Sequence, residues 1–100
     1  MHATVTRVNT KDQPVANAPM VAEEMLRWFR ETEGFEGLLF LSKPGTTLAV
    51  TFWESEKIAE RHRASRMQFR DRMTAAAGAE VEESVDYEVT FAHIGEWRST

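Results

Sequence analysis

Few residues of this chain could do chemistry, and they are scattered. The three histidines, His2, His62 and His93, have no metal-ligand spacing, so no metal site is expected. There is no cysteine, which excludes a disulfide framework, a thiolate site and a cysteine nucleophile. Glycine-rich phosphate loops, dinucleotide fingerprints and serine nucleophile elbows are absent too. His62 is the most interesting polar residue. With Ile58, Phe69 and Met73 it falls at helical spacing, which places it on an inward stripe. An imidazole there serves as a base or donor near neutral pH. The plainer alternative is a half-buried histidine with a backbone partner.

Asn9 and Arg7 share one face of an N-terminal strand. Facing inward they are the polar handles of a pocket; facing outward they are solvated, and the register is open. Tyr87 is the only tyrosine. Its hydroxyl either holds a phenolic substrate or reaches a backbone carbonyl at a subunit edge. Trp53, Trp28 and Phe29 have two readings as well. They line an apolar pocket for a planar aromatic molecule, or they are packing anchors of the core. Met20, Met25, Met67 and Met73 read as gap-filling core. The charge run from Arg61 to Arg72 alternates with acids and reads as a solvated helix face.

The elements that must position these residues are legible from periodicity. Gly34 to Glu56 reads as two apolar strands and a helix start. Lys43-Pro44-Gly45-Thr46 forms the turn, with proline presetting a negative φ and glycine accepting a positive one. Leu39 and Leu41 fall on one face of the hairpin, Leu38 and Phe40 on the other, so both faces are apolar. Ala3 to Thr10 is a β-branched first strand. In it Val5 and Val8 differ in parity, so both faces are partly buried or a bulge intervenes. Pro19 to Thr32 reads as a helix with Asn17 or Ala18 as N-cap and Gly34 as its left-handed stop. Ser55 caps a second helix, with a kink or break at Ala64-Ser65 and a stop at Gly78. Glu80 to Ala92 alternates as a long last strand, and the tail tryptophan, Trp97, is expected to fold back onto a body.

The order β-α-β-β-α-β is the ferredoxin-like arrangement, an α+β class with four antiparallel strands and both helices on one face. An apolar open face in water marks an interface. Two such faces packed together make a dimeric α/β barrel, so a homodimer through the open sheet face is expected. A single domain of 100 residues buries only about 60–70% of its unfolded surface, so pairing adds useful burial. The net charge of −4 argues against nucleic acid or an anionic membrane as partner. Apolar runs fall far short of a membrane span, and MHATVTRVNT lacks the core of a signal peptide. The expectation is a soluble, cytoplasmic protein.

Two short stretches carry a family resemblance over about residues 3–92. Glu33-Gly34-Phe35-Glu36-Gly37 resembles the glycine–phenylalanine lead into the second strand of the antibiotic biosynthesis monooxygenase-type members of the dimeric α/β-barrel superfamily. Val50-Thr51-Phe52-Trp53-Glu54-Ser55 is similar to the tryptophan–glutamate–serine end of their third strand. The resemblance implies a monooxygenase acting on a planar aromatic or quinone-like small molecule without a cofactor, the deprotonated substrate itself giving electrons to oxygen. It would assign a base to His62, donors to Asn9 and Tyr87, and a wall to Trp53. In the haem-degrading branch a strand-one asparagine and a helix-two tryptophan and histidine form the site. Here Asn9 is the only strand-one asparagine, and the other two positions fall near His62 and Asp71. Neither residue type is kept, so haem degradation is not expected. The alternative from another class is a non-catalytic, small-ligand-binding or structural homodimer, with haem binding as a third option.

Overall fold

The computed structural model describes residues 1–95. Their order is β1 (His2–Asn9), α1 (Ala18–Phe29), β2 (Phe35–Lys43), β3 (Thr46–Trp53), α2 (Glu56–Arg61), α3 (Arg63–Ala76) and β4 (Glu80–Glu88). A single 3-10 turn, Val15–Asn17, leads into α1. The strands form one antiparallel sheet in the order β2-β3-β1-β4. This is the expected ferredoxin-like α+β arrangement, with its second helix in two pieces. No helix among the described residues is long and apolar enough to cross a membrane. Trp97 lies outside the described residues.

Strand alternation divides the sheet cleanly. Along β3, Thr47, Ala49, Thr51 and Trp53 are buried under the helices, while Thr46, Leu48, Val50 and Phe52 are half-buried on the other face. The hairpin turn is as expected: Gly45 has φ +86°, and its carbonyl accepts the Thr10 N–H at 3.0 Å. β1 alternates without a break against β3, so Val5 and Val8 face opposite sides and both faces are partly buried; the bulge lies in β4, opposite Arg7 and Val8. Before it, Val5 pairs Val85 on the open face; after it, Val8 pairs Val81 on the helix side. The open face carries Leu39, Leu41, Leu48, Val50, Phe52, Val85 and Tyr87. Of these, Leu41 is 51% and Tyr87 55% exposed.

The core is aromatic. Trp53 is fully buried and meets Phe29 and Phe35 edge-on, with centroids 5.8 and 5.6 Å apart. Trp28 stacks on Phe69 at 4.6 Å. These rings join α1, α3 and the sheet into one cluster with Met25 and Ala59.

Helix ends depart from the sequence reading in physically informative ways. Asn17 stands at the N-cap of α1 but is already helical (φ −80°, ψ −18°) and makes no capping bond. The preceding 3-10 turn runs straight into the helix, and the Asn17 amide donates to Gln13 instead. Regular α-helix ends at Phe29, followed by turn bonds to Thr32. Gly34 is therefore not a helix stop. Its φ of +77° aims the chain into β2, and a Cβ there would overlap Ile58 Cγ2. Ser55 does cap α2, accepting from the Ile58 N–H at 3.2 Å. The break falls at His62 (φ −104°, ψ 11°), two residues before Ala64. β4 ends at Glu88 rather than Ala92, with Val89 still donating to the Met1 carbonyl.

The β4 edge is tied to the helix layer by one carboxylate. Asp86 accepts from Thr4 Oγ1 at 2.8 Å across the ladder and from Arg63 of α3 at 3.0 Å. His2 Nε2 lies 3.8 Å from the same carboxylate. Burial alone would push the Asp86 carboxyl up. The bonds from Thr4 and Arg63, with the positive charges of Arg63 and His2, overcome that and hold it below the ordinary value of 3.8.

Two predictions follow from this packing. Gly45→Ala meets open space and costs about 1 kcal/mol for its dihedral alone. Gly34→Ala adds a clash of about 1–3 kcal/mol, so its thermal midpoint falls further, as differential scanning calorimetry will read. The second concerns acid. A depressed native carboxyl contributes stability above its unfolded pKa and loses it as pH falls through the native value. Asp86→Asn will therefore be less stable than the parent near neutrality, and the gap will narrow as urea titrations move from about pH 5 to pH 3.

Candidate active site

The helices do not close completely on the sheet, because the two central strands present small side chains to them. Thr4 and Thr6 of β1, with Thr47, Ala49 and Thr51 of β3, form a low floor. Val21, Met25 and Phe29 of α1 wall one side, and Arg66, Met67 and Met73 of α3 the other. The cavity, open at one side, is about 120 Å³. Its closed end lies among the buried Thr4, Thr51, Phe29 and Arg66. Its mouth is formed by Gln13, Pro14, Val15 and Asn17, all exposed.

Most floor hydroxyls are already engaged. Thr6 and Ser84 share a hydrogen bond at 3.0 Å, Ser42 and Thr47 one at 2.9 Å, and the Trp53 indole N–H donates to Thr51 at 2.9 Å. The distinctive group is Arg66, only 4% exposed. Its Nη2 donates to the Ala59 carbonyl at 2.8 Å, and its Nη1 reaches Thr4 Oγ1 at 3.4 Å. The guanidinium carbon stands 4.8 Å from the Trp53 ring centre. Nε is buried and has no hydrogen-bond partner. Burial lowers the Arg66 pKa, an effect partly offset by Asp86, but a guanidinium stays charged at any working pH. Among the described residues the cavity lining holds three cationic residues, Lys43, Arg66 and Arg70, and no carboxylate or imidazole. Arg70 is occupied by Asp71, through Nε at 3.1 Å and Nη2 at 3.0 Å. The cavity is thus apolar with a positive closed end, suited to an uncharged ring bearing an ionised oxygen.

The residues singled out from sequence are not gathered here, with one exception. Phe29 lines the cavity. Trp53 and Trp28 stand behind the lining in the aromatic core. Arg7 faces the open side of the sheet and pairs Glu83 at 3.2 Å. Asn9 faces that side too; its Oδ1 accepts the Lys11 N–H at 2.9 Å, closing a turn in which Lys11 has φ +55°. Tyr87 lies on the open face. His62 is displaced from the inward stripe by the helix break it occupies, and its Nε2 sits 3.6 Å from Glu33. His62 and Asn9 therefore share no cavity.

Arg66 is the residue that sequence reasoning missed, and the solvated reading of the Arg61–Arg72 run is corrected at this position. The signal was present: Arg66, Phe69 and Met73 are spaced by three and four, so Arg66 belongs to the inward stripe. The floor had a signal as well, in the alternating small residues Thr4-x-Thr6 and Thr47-x-Ala49-x-Thr51.

Comparison with known proteins places the fold. No family model matches the sequence, and no curated protein matches it. Solved structures do. A proposed antibiotic biosynthesis monooxygenase from Deinococcus radiodurans is 18% identical with a TM-score of 0.68, covering 97% of this chain and 100% of its own. SnoaB, a cofactor-independent oxygenase from Streptomyces nogalater, is 17% identical with a TM-score of 0.67 over 95% and 97%. A monooxygenase from the gene ActVA-Orf6 of Streptomyces coelicolor, solved with the ligand nanaomycin D, is 15% identical with a TM-score of 0.60 over 95% and 92%. Shared from end to end by these three, the architecture of this chain is the antibiotic biosynthesis monooxygenase fold.

Proposed function

We propose that the chain is a cofactor-independent monooxygenase whose substrate is a small, planar aromatic or quinone-like molecule bound as its anion. The carrying observation is the Arg66 guanidinium, buried at the closed end of an apolar cavity with Nε unpartnered. A substrate that reduces oxygen by itself must first become an electron-rich anion. An isolated cation in a dry site favours that ionised form. Overall, a ring CH₂ and O₂ become a ring carbonyl and water, so the substrate supplies both electron pairs. Arg66 holds the anionic oxygen, while Val21, Met25 and Phe29 pack on the ring faces and exclude water. The oxygenase and monooxygenase names of the structural neighbours support this reading. The cavity, about 120 Å³, is somewhat smaller than the roughly 150 Å³ that admits a benzene ring, so one ring fills it and any further ring lies in its open mouth beside Val15. In this reading Arg66 holds the anionic oxygen, and His62 and Asn9 have no role at the cavity.

The same reading includes a homodimer. The open face is apolar across Leu39, Leu48, Val50 and Phe52, and a second copy of that face covers it without leaving unpaired charges at its centre.

Oxygen-electrode assays with a panel of anthrones and quinols are expected to show uptake above buffer. Arg66→Met will reduce turnover by roughly 10²-fold, in line with loss of one oxyanion donor. Saturable ligand binding without oxygen uptake would leave the non-catalytic ligand-binding protein as the correct reading. For assembly, sedimentation at micromolar concentration is expected to give twice the chain mass of 11.4 kDa. Val50→Glu, at the centre of the open face, will give the single chain.

A further inference from the structure

A ligand ionised at Arg66 must lose a proton, yet among the described residues the cavity lining holds no carboxylate or imidazole to take it. We propose that Thr4 and Asp86 form a proton outlet, carrying the proton of a phenolic or enolic O–H from the closed end of the cavity to the solvent edge of β4. This rests on the anion-site reading above and deepens it by naming the substrate's acidic group and the route its proton takes.

The geometry has a direction. A threonine hydroxyl has one proton and two lone pairs. The Thr4 proton is donated outward, to Asp86 Oδ1 at 2.8 Å. One lone pair faces Arg66 Nη1 at 3.4 Å. The other is left for a donor in the cavity that Thr4 lines. Thr4 itself is 4% exposed, whereas the Asp86 side chain is 27% exposed. The pair therefore spans the wall between a dry site and water. Register explains the match: Thr4 and Asp86 are cross-strand partners on the helix-facing side.

The step balances. The ligand O–H bond breaks, with its electron pair remaining on the oxygen beside Arg66. Its proton joins Thr4 Oγ1 as the proton of Thr4 passes to Asp86 Oδ1. Asp86 then releases that proton to water at its exposed side. Nothing is oxidised or reduced. The groups facing Asp86 are His2 from β1, Arg63 and Arg66 from α3, and Glu60 of α2 acting through Arg63. Their net effect keeps Asp86 ionised and a weak base, so a proton that reaches it passes on to water rather than being stored. His2 Nε2, which is buried and has no hydrogen-bond partner, lies 3.8 Å from the same oxygen.

The photoacid 2-naphthol tests the outlet without any turnover. Its excited state expels the hydroxyl proton when an acceptor is within reach, and the naphtholate then emits at longer wavelength than the neutral form. Bound to the parent protein, shown by a saturable rise in polarisation, it is expected to emit mainly as the anion. In Thr4→Val and Asp86→Asn the anion-to-neutral ratio will fall about tenfold or more, a modest part of what positioned proton transfer supplies. Thr4→Ser, which keeps the hydroxyl, will restore it. Both loss variants are near-isosteric, and far-ultraviolet circular dichroism will confirm that they fold. Bound naphthol with an unchanged ratio in both variants, or emitting as the neutral form in the parent, overturns the outlet and leaves the pocket reading standing. Absence of saturable binding in the parent overturns both.

Discussion

The helix layer cannot settle onto the middle of this sheet, and most of what the molecule could do depends on that. Trp53, Phe29, Phe35 and Phe69 fill the space at one end of the helix-facing side. Beyond them the central strands offer threonine and alanine, with the single valine Val8. Helices held apart by the aromatic cluster at one end cannot collapse at the other without breaking it, because close-packed interiors do not deform continuously. A cavity is the result. Its floor is also polar enough, through Thr4, Thr6, Thr47 and Thr51, to accept an oxygenated ring rather than a purely hydrocarbon one.

Into this space α3 sends a charge. Burying a guanidinium costs several kcal/mol unless its donors and its charge are answered. Arg66 is answered in part: the Ala59 carbonyl takes one donor, Thr4 another at longer range, and the Trp53 face lies against the cation. No carboxylate touches it among the described residues; Asp86 acts on it as a charge at a distance. A chain selected only for stability would be expected to place leucine or methionine at this position, since apolar replacements of buried charges are often neutral or better. In the function proposed above, a ligand completes the charge. His62 illustrates the opposite case. It looks chemical in sequence, but the helix breaks at that residue and turns it toward Glu33, away from the cavity.

How much of this was legible in sequence follows from which forces are local. The hairpin, its Pro44-Gly45 turn, the Ser55 cap and the ferredoxin-like order rest on short-range signals of turn chemistry and period, and they appear as read. Helix boundaries were less legible. Gly34 looked like a stop, but its real constraint is a contact with Ile58, which no nearby residue announces. The site was hardest, because charge runs usually mean solvent and one arginine in this run is buried. Only its spacing to Phe69 and Met73 distinguished it. Asn9 and Arg7 had an undecidable register, and the structure turns both to the open face.

The two faces of the sheet are not independent, and β4 links them. Between Val81 and Glu83 this strand carries one extra residue opposite β1, and the phase of its alternation changes there. On one side of that bulge Val81 turns inward to meet Val8. On the other, Ser84 and Asp86 turn inward beside Thr6 and Thr4, while Val85 and Tyr87 turn outward. Without the bulge one set could face correctly only at the expense of the other, since a slip of one residue inverts every side chain. β4 is also an edge strand, bonded to β1 alone, along eight residue pairs. Its outward side chains Val85 and Tyr87 and its inward Asp86 therefore share one register, and a slip in this strand would disturb the apolar face and the polar wall of the cavity together.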